Sequence, residues 1–264
     1  MSERIISVFT KPWRTLSPQE LAEHVAELGF NGIEFPLRDG YQVEPKNAES
    51  AFPAFVETMR RNGIAVASAA SGTSENIFAA LQAGGVDLLR IMADVDPKKS
   101  YLECESEWAE KLYALLPLCE KYGVRVGVQQ HCGAFVFNTM ELRRLLEKLD
   151  RRYIGGVWDA AHSGLAGEDP ARTLDIIWDY LYLINFKNAY FKRREDAPPR
   201  FEPYFTTASD GFSDWDRAVG YALERGYGGA FCMPAEYTDH ANTDAYAAQD
   251  LIYLKTLTAK RSVK

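Results

Sequence analysis

Cysteine and histidine are scarce: the 264 residues hold four of each. Cys104, Cys119, Cys132 and Cys232 show no C-x-x-C spacing, which argues against a zinc ribbon or redox dithiol and fits reduced thiols used as small core residues. Long apolar runs are missing too. No stretch reaches the roughly 18 uninterrupted apolar residues of a membrane span, and Met1-Ser-Glu-Arg carries charges where a secretory signal needs an apolar run. The expectation is a soluble, cytoplasmic protein with no membrane partner. Positive charge is in deficit, with a formal net charge of -7, which argues against a dedicated nucleic-acid binder. No Ser/Gly-rich linker or composition shift interrupts the chain, so residues 1–264 read as one domain. A glycine-rich phosphate loop is not recognisable after the last two strands, and no nucleotide cofactor is expected. Arg193, Arg194 and Arg200 are the residues that could meet a phosphate instead.

What the chain does contain, besides 47% hydrophobic residues, is a repeated phrase: a helix ending in glycine or a polar turn, then a short apolar run. Arg60-Arg-Asn-Gly63 precedes Ile64–Ser68, Gln82-Ala-Gly-Gly85 precedes Val86–Ile91, and Glu120-Lys-Tyr-Gly123 precedes Val124–Val128. Lys148-Leu-Asp150 precedes the run from Tyr153 to Asp159, and Glu224-Arg-Gly-Tyr-Gly-Gly229 precedes Ala230–Met233. With Ile5–Phe9, Gly32–Pro36 and Tyr182–Phe186 this makes eight strands, each separated by enough chain for a crossover helix. Eight such units suit a closed (β/α)8 TIM barrel better than an open sheet, since these barrels run to about 250 residues.

Local signals agree. Ser17-Pro18-Gln19-Glu20 predicts a capped helix start, and Asn138 to Glu141 and Ser213 to Asp216 repeat the spacing. Tyr101 to Tyr122 reads as the longest helix, bent at Pro117, and Asp244 to Lys260 as the last. One connection is too long for a strand-to-helix turn. Lys187 to Ser213 is rich in aromatics and proline, and reads as a lid or a packed loop that would present Tyr190, Phe191 or Tyr204 to a ligand.

Polar residues gather at the predicted C-terminal ends of the strands, where parallel barrels keep their active sites. These are Glu34, Arg90, Gln129 with Gln130 and His131, Asp159 with His162, Asn185 with Lys187, and Glu236. An Asp following a strand is often only a helix cap, and Glu34 with Arg90 makes a plausible buried ion pair. The convergence of the set on one end of a barrel is what points to a site.

The chain resembles the xylose-isomerase-like TIM-barrel superfamily over nearly its whole length. The resemblance rests on Leu28-Gly-Phe-Asn-Gly-Ile-Glu34, Tyr122-Gly-Val-Arg-Val-Gly-Val-Gln-Gln-His131, Val157-Trp-Asp-Ala-Ala-His162, Asn185-Phe-Lys-Asn188, and Gly226-Tyr-Gly-Gly229 leading to Ala235-Glu-Tyr237. Metal-dependent members carry Glu, Asp, His and Glu around one divalent ion. Here Gln129 replaces the first Glu, Asp159 keeps the Asp, and Asn185 replaces the His. Glu236 matches the last Glu only if the final strand carries two extra residues; otherwise Pro234 stands there.

The resemblance implies an isomerase or epimerase acting on a sugar, sugar phosphate or related polyol by proton transfer next to a carbonyl. In that reading Glu236 is the base, His162 its acid partner and Lys187 the stabiliser of the enediolate. Glu34, Arg90, Gln129, His131 and Asn185 bind hydroxyls, and Asp159 with Glu236 holds Mn2+ or Mg2+ weakly, because amides add no charge to a hard-cation site. The alternatives are a keto-sugar dehydratase, which needs one base and one acid, and a barrel that binds a carbohydrate or partner subunit without catalysis. Endonuclease activity is the least favoured, since four histidines are too few for a multi-zinc cluster. Oligomeric state stays open, a homo-oligomer included.

Overall fold

The computed structural model describes residues 4–196 and 198–261. Strands Ile6–Phe9 (β1), Gly32–Pro36 (β2), Ala65–Ala70 (β3), Leu88–Met92 (β4), Arg125–Gln129 (β5), Ile154–Asp159 (β6) and Leu181–Asn185 (β7) run parallel and in order. Asn188–Arg193 (β8) and Phe201–Thr206 (β9) form a separate two-stranded sheet. Phe231–Met233 (β10) pairs with both β1 and β7, which closes the eight-stranded barrel. The expected (β/α)8 architecture is therefore present.

The helices are Pro18–Glu27 (α1), Ala48–Arg61 (α2), Glu75–Gly84 (α3), Tyr101–Ala114 (α4), Leu116–Tyr122 (α5) and Thr139–Leu146 (α6). Ala160–Leu165 (α7), Pro170–Ile177 (α8), Trp215–Glu224 (α9) and Thr243–Ala259 (α10) complete them. Among the described residues, no helix is long and apolar enough to cross a membrane.

Ser17 starts α1 as its spacing predicts: its hydroxyl accepts from the Glu20 N–H and the Glu20 carboxylate accepts from the Ser17 N–H at 2.7 Å. Asn138 caps α6 by accepting from the Glu141 N–H at 2.9 Å, while the Glu141 carboxylate accepts from the Phe137 N–H. Two expectations need correction. The helix predicted over Tyr101 to Tyr122 is two helices broken at Leu115, because Pro117 has no N–H to give and its ring crowds the carbonyl four residues back. Asp214, not Ser213, caps α9, accepting from the Arg217 N–H at 3.0 Å. Ser213 is occupied elsewhere, its backbone held by both ends of the Asn188 amide.

Alternation along the strands sorts their side chains. Ile33 and Phe35, Leu89 and Ile91, Val126 and Val128, and Ile184 and Phe186 face outward into the helix-covered core. Phe9, Ala70, Leu88, Val157, Leu183 and Cys232 fill the barrel as a small apolar plug. The inward positions that follow on β2, β4, β5, β6 and β7 are Glu34, Arg90, Gln129, Asp159 and Asn185, all buried. A period of two thus converts five strand ends into one polar layer above an apolar plug.

Candidate active site

The lower part of this layer is a closed hydrogen-bonded chain. Arg90 Nε donates to Glu34 Oε1 at 2.8 Å, and Ser68 donates to the same oxygen at 3.0 Å. Burial pulls the guanidinium toward neutrality, but Glu34 outweighs it and holds Arg90 charged. Its other arm donates to Gln129 Oε1, and Gln129 Nε2 donates to Asp159 Oδ2 at 2.8 Å. Gln129 is thus a spacer between a cation and an anion. Asp159 is saturated: Oδ1 caps α7 through the N–H groups of Ala161 and His162 at 3.0 and 3.3 Å, and Oδ2 also takes Asn185 Nδ2 at 3.5 Å.

Lys187 lies across the top of this chain. Its ammonium is 3.9 Å from Asp159 Oδ2, 3.5 Å from Glu236 Oε2 and 3.1 Å from His162 Nε2, with the Phe205 ring 4.5 Å away. His162 is completely buried, and its Nδ1 faces the Cys132 N–H at 3.2 Å. Nδ1 accepts from that N–H while Nε2 meets Lys187 Nζ, and the ring is held well below the usual imidazole pKa by burial first and then by Lys187, His131 and Arg90. His162 does not reach the cavity; it backs Lys187.

Glu236 reaches the mouth by breaking the strand pattern. After β10 and Pro234, Ala235 adopts a φ of 51°, a left-handed conformation uncommon for a residue with a Cβ. That turn brings Glu236 back beside Pro234, so both candidate positions for the last family Glu line the same cavity. Burial raises the Glu236 pKa, but Lys187, Lys11 and Arg90 together bring it down to about 2. Lys11 donates to it at 2.5 Å.

The cavity beside Glu236 measures about 70 Å³ and is lined also by Arg38, Arg90, Gln129, His131 and Asn185. A cleft of about 740 Å³ shares Lys11 and Glu236 with it, and another of about 350 Å³ shares Arg38 and Arg90. Glu34 and Asp159 were expected around the cavity and lie beneath its floor instead, fully buried. Gln130 faces away, accepting from Thr139 Oγ1 at 3.2 Å. His131 holds the Cys132 carbonyl through Nδ1 at 2.7 Å, which leaves Nε2 as the acceptor; burial and Lys187 lower its pKa against that hydrogen bond.

The segment after β7 differs from its expected form. It is a β-hairpin, and Tyr190 packs on Tyr204 with ring centroids 5.2 Å apart and the planes tilted by 35°, while Phe191 packs on Phe212. None of these three lines the cavity. Phe205, one residue out of step with Tyr204, covers Lys187 and meets His162 edge-on at 5.9 Å. Arg193 and Arg194 are paired with Glu195 and Asp196 near the hairpin turn, away from the mouth.

Sequence reasoning missed Lys11, Arg38 and Phe205. Lys11 and Arg38 stand two residues beyond β1 and β2, the same offset as Lys187 from β7, and that shared offset was the available signal. Arg38 makes no ion pair among the described residues.

A divalent ion between Asp159 and Glu236 does not suit these residues. The amides of Gln129 and Asn185 turn N–H groups, not carbonyls, toward Asp159, and the Lys187 ammonium lies between the two carboxylates. His131, Cys132 and His162 also place ligand atoms within 4.8 Å of one another, but His131 Nδ1 is taken by the Cys132 carbonyl and His162 Nδ1 by the Cys132 N–H.

An eight-stranded parallel barrel with a polar layer at the C-terminal mouth defines the class. The chain belongs to the xylose isomerase-like TIM-barrel family, whose model matches residues 22–257. An inosose dehydratase of Lactiplantibacillus plantarum is 23% identical over 243 residues, covering 83% of this chain and 81% of its own. The fold is shared with the 3-keto-D-glucoside 4-epimerase of E. coli, with a TM-score of 0.74, 15% identity and coverage of 96% and 100%. It is shared also with a xylose isomerase-like barrel protein from Mycobacterium smegmatis solved in complex with magnesium, with a TM-score of 0.70, 15% identity and coverage of 97% of each chain.

Proposed function

We propose that this protein is a dehydratase acting on a keto-sugar or keto-polyol. The observation that carries the reading is that Glu236 is the one carboxylate lining the 70 Å³ cavity, with Gln129 where a second base would stand and Glu34 bound to Arg90 below. Removal of water needs one base and one acid, whereas epimerisation through opposed bases needs two. The dehydratase relative supports the same choice.

In this reading the substrate carbonyl oxygen draws on Lys187, which does not itself line the 70 Å³ cavity but lies 3.5 Å from Glu236 at its wall, and Glu236 takes the proton from the neighbouring carbon. The charge that develops on oxygen is stabilised by the ammonium, which is fixed between Asp159 and Glu236 and shielded by Phe205. Lys187 is also a main reason Glu236 is so weak a base, so engaging that cation with the substrate raises the basicity of Glu236 when it is needed. The carbon–oxygen bond to the β-hydroxyl then breaks, and Lys11 gives the leaving oxygen a proton. Glu236 returns the carbon-derived proton to Lys11 through their 2.5 Å hydrogen bond, which restores both groups and balances the loss of one water. Arg38, His131 and Asn185 bind oxygens of the substrate; Asn185 Oδ1 is buried without a partner and is free to accept from a hydroxyl.

The second reading, an epimerase or isomerase, is favoured by one feature: the free Nε2 of neutral His131 could hold a proton across the cavity from Glu236. Proton NMR of keto-polyols and ketoses in D2O separates the two. Loss of the proton beside the carbonyl together with an unsaturated ketone supports the dehydratase; deuterium incorporation with inverted configuration and no loss of water supports the epimerase. Ligand-induced melting shifts without either would leave a binding barrel.

A further inference from the structure

The family resemblance puts a divalent ion between Asp159 and Glu236, and this chain has filled that place with its own groups. We propose that the Lys187 ammonium is the resident cation of the site, and that the native protein binds no divalent ion there. The inference is independent of which reaction the barrel performs.

Three observations on separate elements carry it. The ammonium bridges the two carboxylates, 3.9 Å from Asp159 and 3.5 Å from Glu236, so an ion at bonding distance from both would have to displace it. The two residues that depart from the family's ligand set are both amides, and both present hydrogen to Asp159 Oδ2, Gln129 at 2.8 Å and Asn185 at 3.5 Å. The Gln129 amide cannot simply turn over, because its oxygen accepts from Arg90, which is fixed in turn by Glu34. A glutamate at 129 would face Asp159 across that 2.8 Å contact and call for a cation; the glutamine removes the need. Lastly, Lys187 is nearly fully buried, packed against His162 Nε2 at 3.1 Å and the face of the Phe205 ring at 4.5 Å. The lysine is seated, not draped over the mouth.

The substitutions therefore belong together: Glu to Gln at 129 and His to Asn at 185 turn metal ligands into donors that suit an ammonium already nearby. Restoring the ligands alone would not restore the ion, since Lys187 would still hold its place.

The test is calorimetric titration of Mn2+ into chelator-dialysed protein, with melting temperature read in parallel. Native protein is expected to show no saturable binding up to millimolar Mn2+ and no melting shift. Gln129→Glu/Asn185→His should bind Mn2+ at least tenfold more weakly than the same pair combined with Lys187→Met, in which Mn2+ also raises the melting temperature. Lys187→Arg, which keeps the cation, should fold and bind none, so the expectation stands even where Lys187→Met fails to fold. Stoichiometric micromolar binding by the native protein, abolished by Asp159→Asn, would overturn the proposal, as would equal affinity of the double and triple variants. The first result leaves Glu236 as base with a metal in the place of the ammonium; the second leaves the native site as it is and removes Lys187 as the obstacle to the ion.

Discussion

Two ion pairs at the mouth, Arg90 with Glu34 and Lys11 with Glu236, look alike on paper and differ in what surrounds them. The side chains of the first pair are 6% and 0% exposed, those of the second 47% and 28%. The inner pair is desolvated, hydrogen-bonded on both sides and continuous with Gln129 and Asp159, so its loss strands buried charge. The outer pair sits where water and ligand reach it and is worth little to the fold. Position relative to the cavity floor, not residue type, separates the groups that hold the barrel mouth from those available for chemistry.

The sharpest way to break this contrast is Arg90→Met. Leaving Glu34 and the Gln129 carbonyl without their buried partner should cost about 3–5 kcal/mol in urea denaturation, while Lys11→Met should cost no more than about 1 kcal/mol. Equal losses would erase the distinction. Next, Glu236→Gln should lower turnover by roughly 10²–10⁴-fold, the usual worth of a general base, with a smaller loss of stability than Arg90→Met; an equal loss would place Glu236 with the floor.

A pH series probes the same boundary. His162 and His131 both have folded-state pKa values lowered from 6.5, His162 the further. The unfolded chain takes up these protons below about pH 6.5 and the folded one does not, so the stability they contribute is present above that pH and lost as pH falls. The slope should approach about 1.4 kcal/mol per pH unit for one such group, and His162→Gln should flatten the curve more than His131→Gln. The smallest effect belongs to the hairpin turn. Replacing Arg194 to Arg200 by a short turn should change stability by about 0.5 kcal/mol or less and leave activity intact, whereas Phe205→Ala should lower turnover through Lys187.

The floor was legible in the sequence because its residues obey the strand period. Once the strands are placed, Glu34, Arg90, Gln129, Asp159 and Asn185 fall on the inward side without further information. The rim obeys no such rule. Glu236 depends on the positive φ of Ala235, which alanine does not announce. Phe205 depends on a hairpin register within a stretch read as a loop, where one residue separates it from the outward Tyr204. Which way the Gln129 amide points, and that Lys187 lies between two carboxylates, are facts of side-chain geometry that no pattern of residue types contains.

In the proposed reaction Glu236 and Lys187 move a proton next to a carbonyl without a divalent ion. The direct measurement is a proton NMR time course of a keto-polyol such as an inosose in D2O with excess EDTA, for native protein and Lys187→Met. In EDTA the native protein is expected to remove the carbon-bound proton and release water, and the variant to do neither. Activity abolished by EDTA and restored by Mn2+, or retained in Lys187→Met, would contradict it.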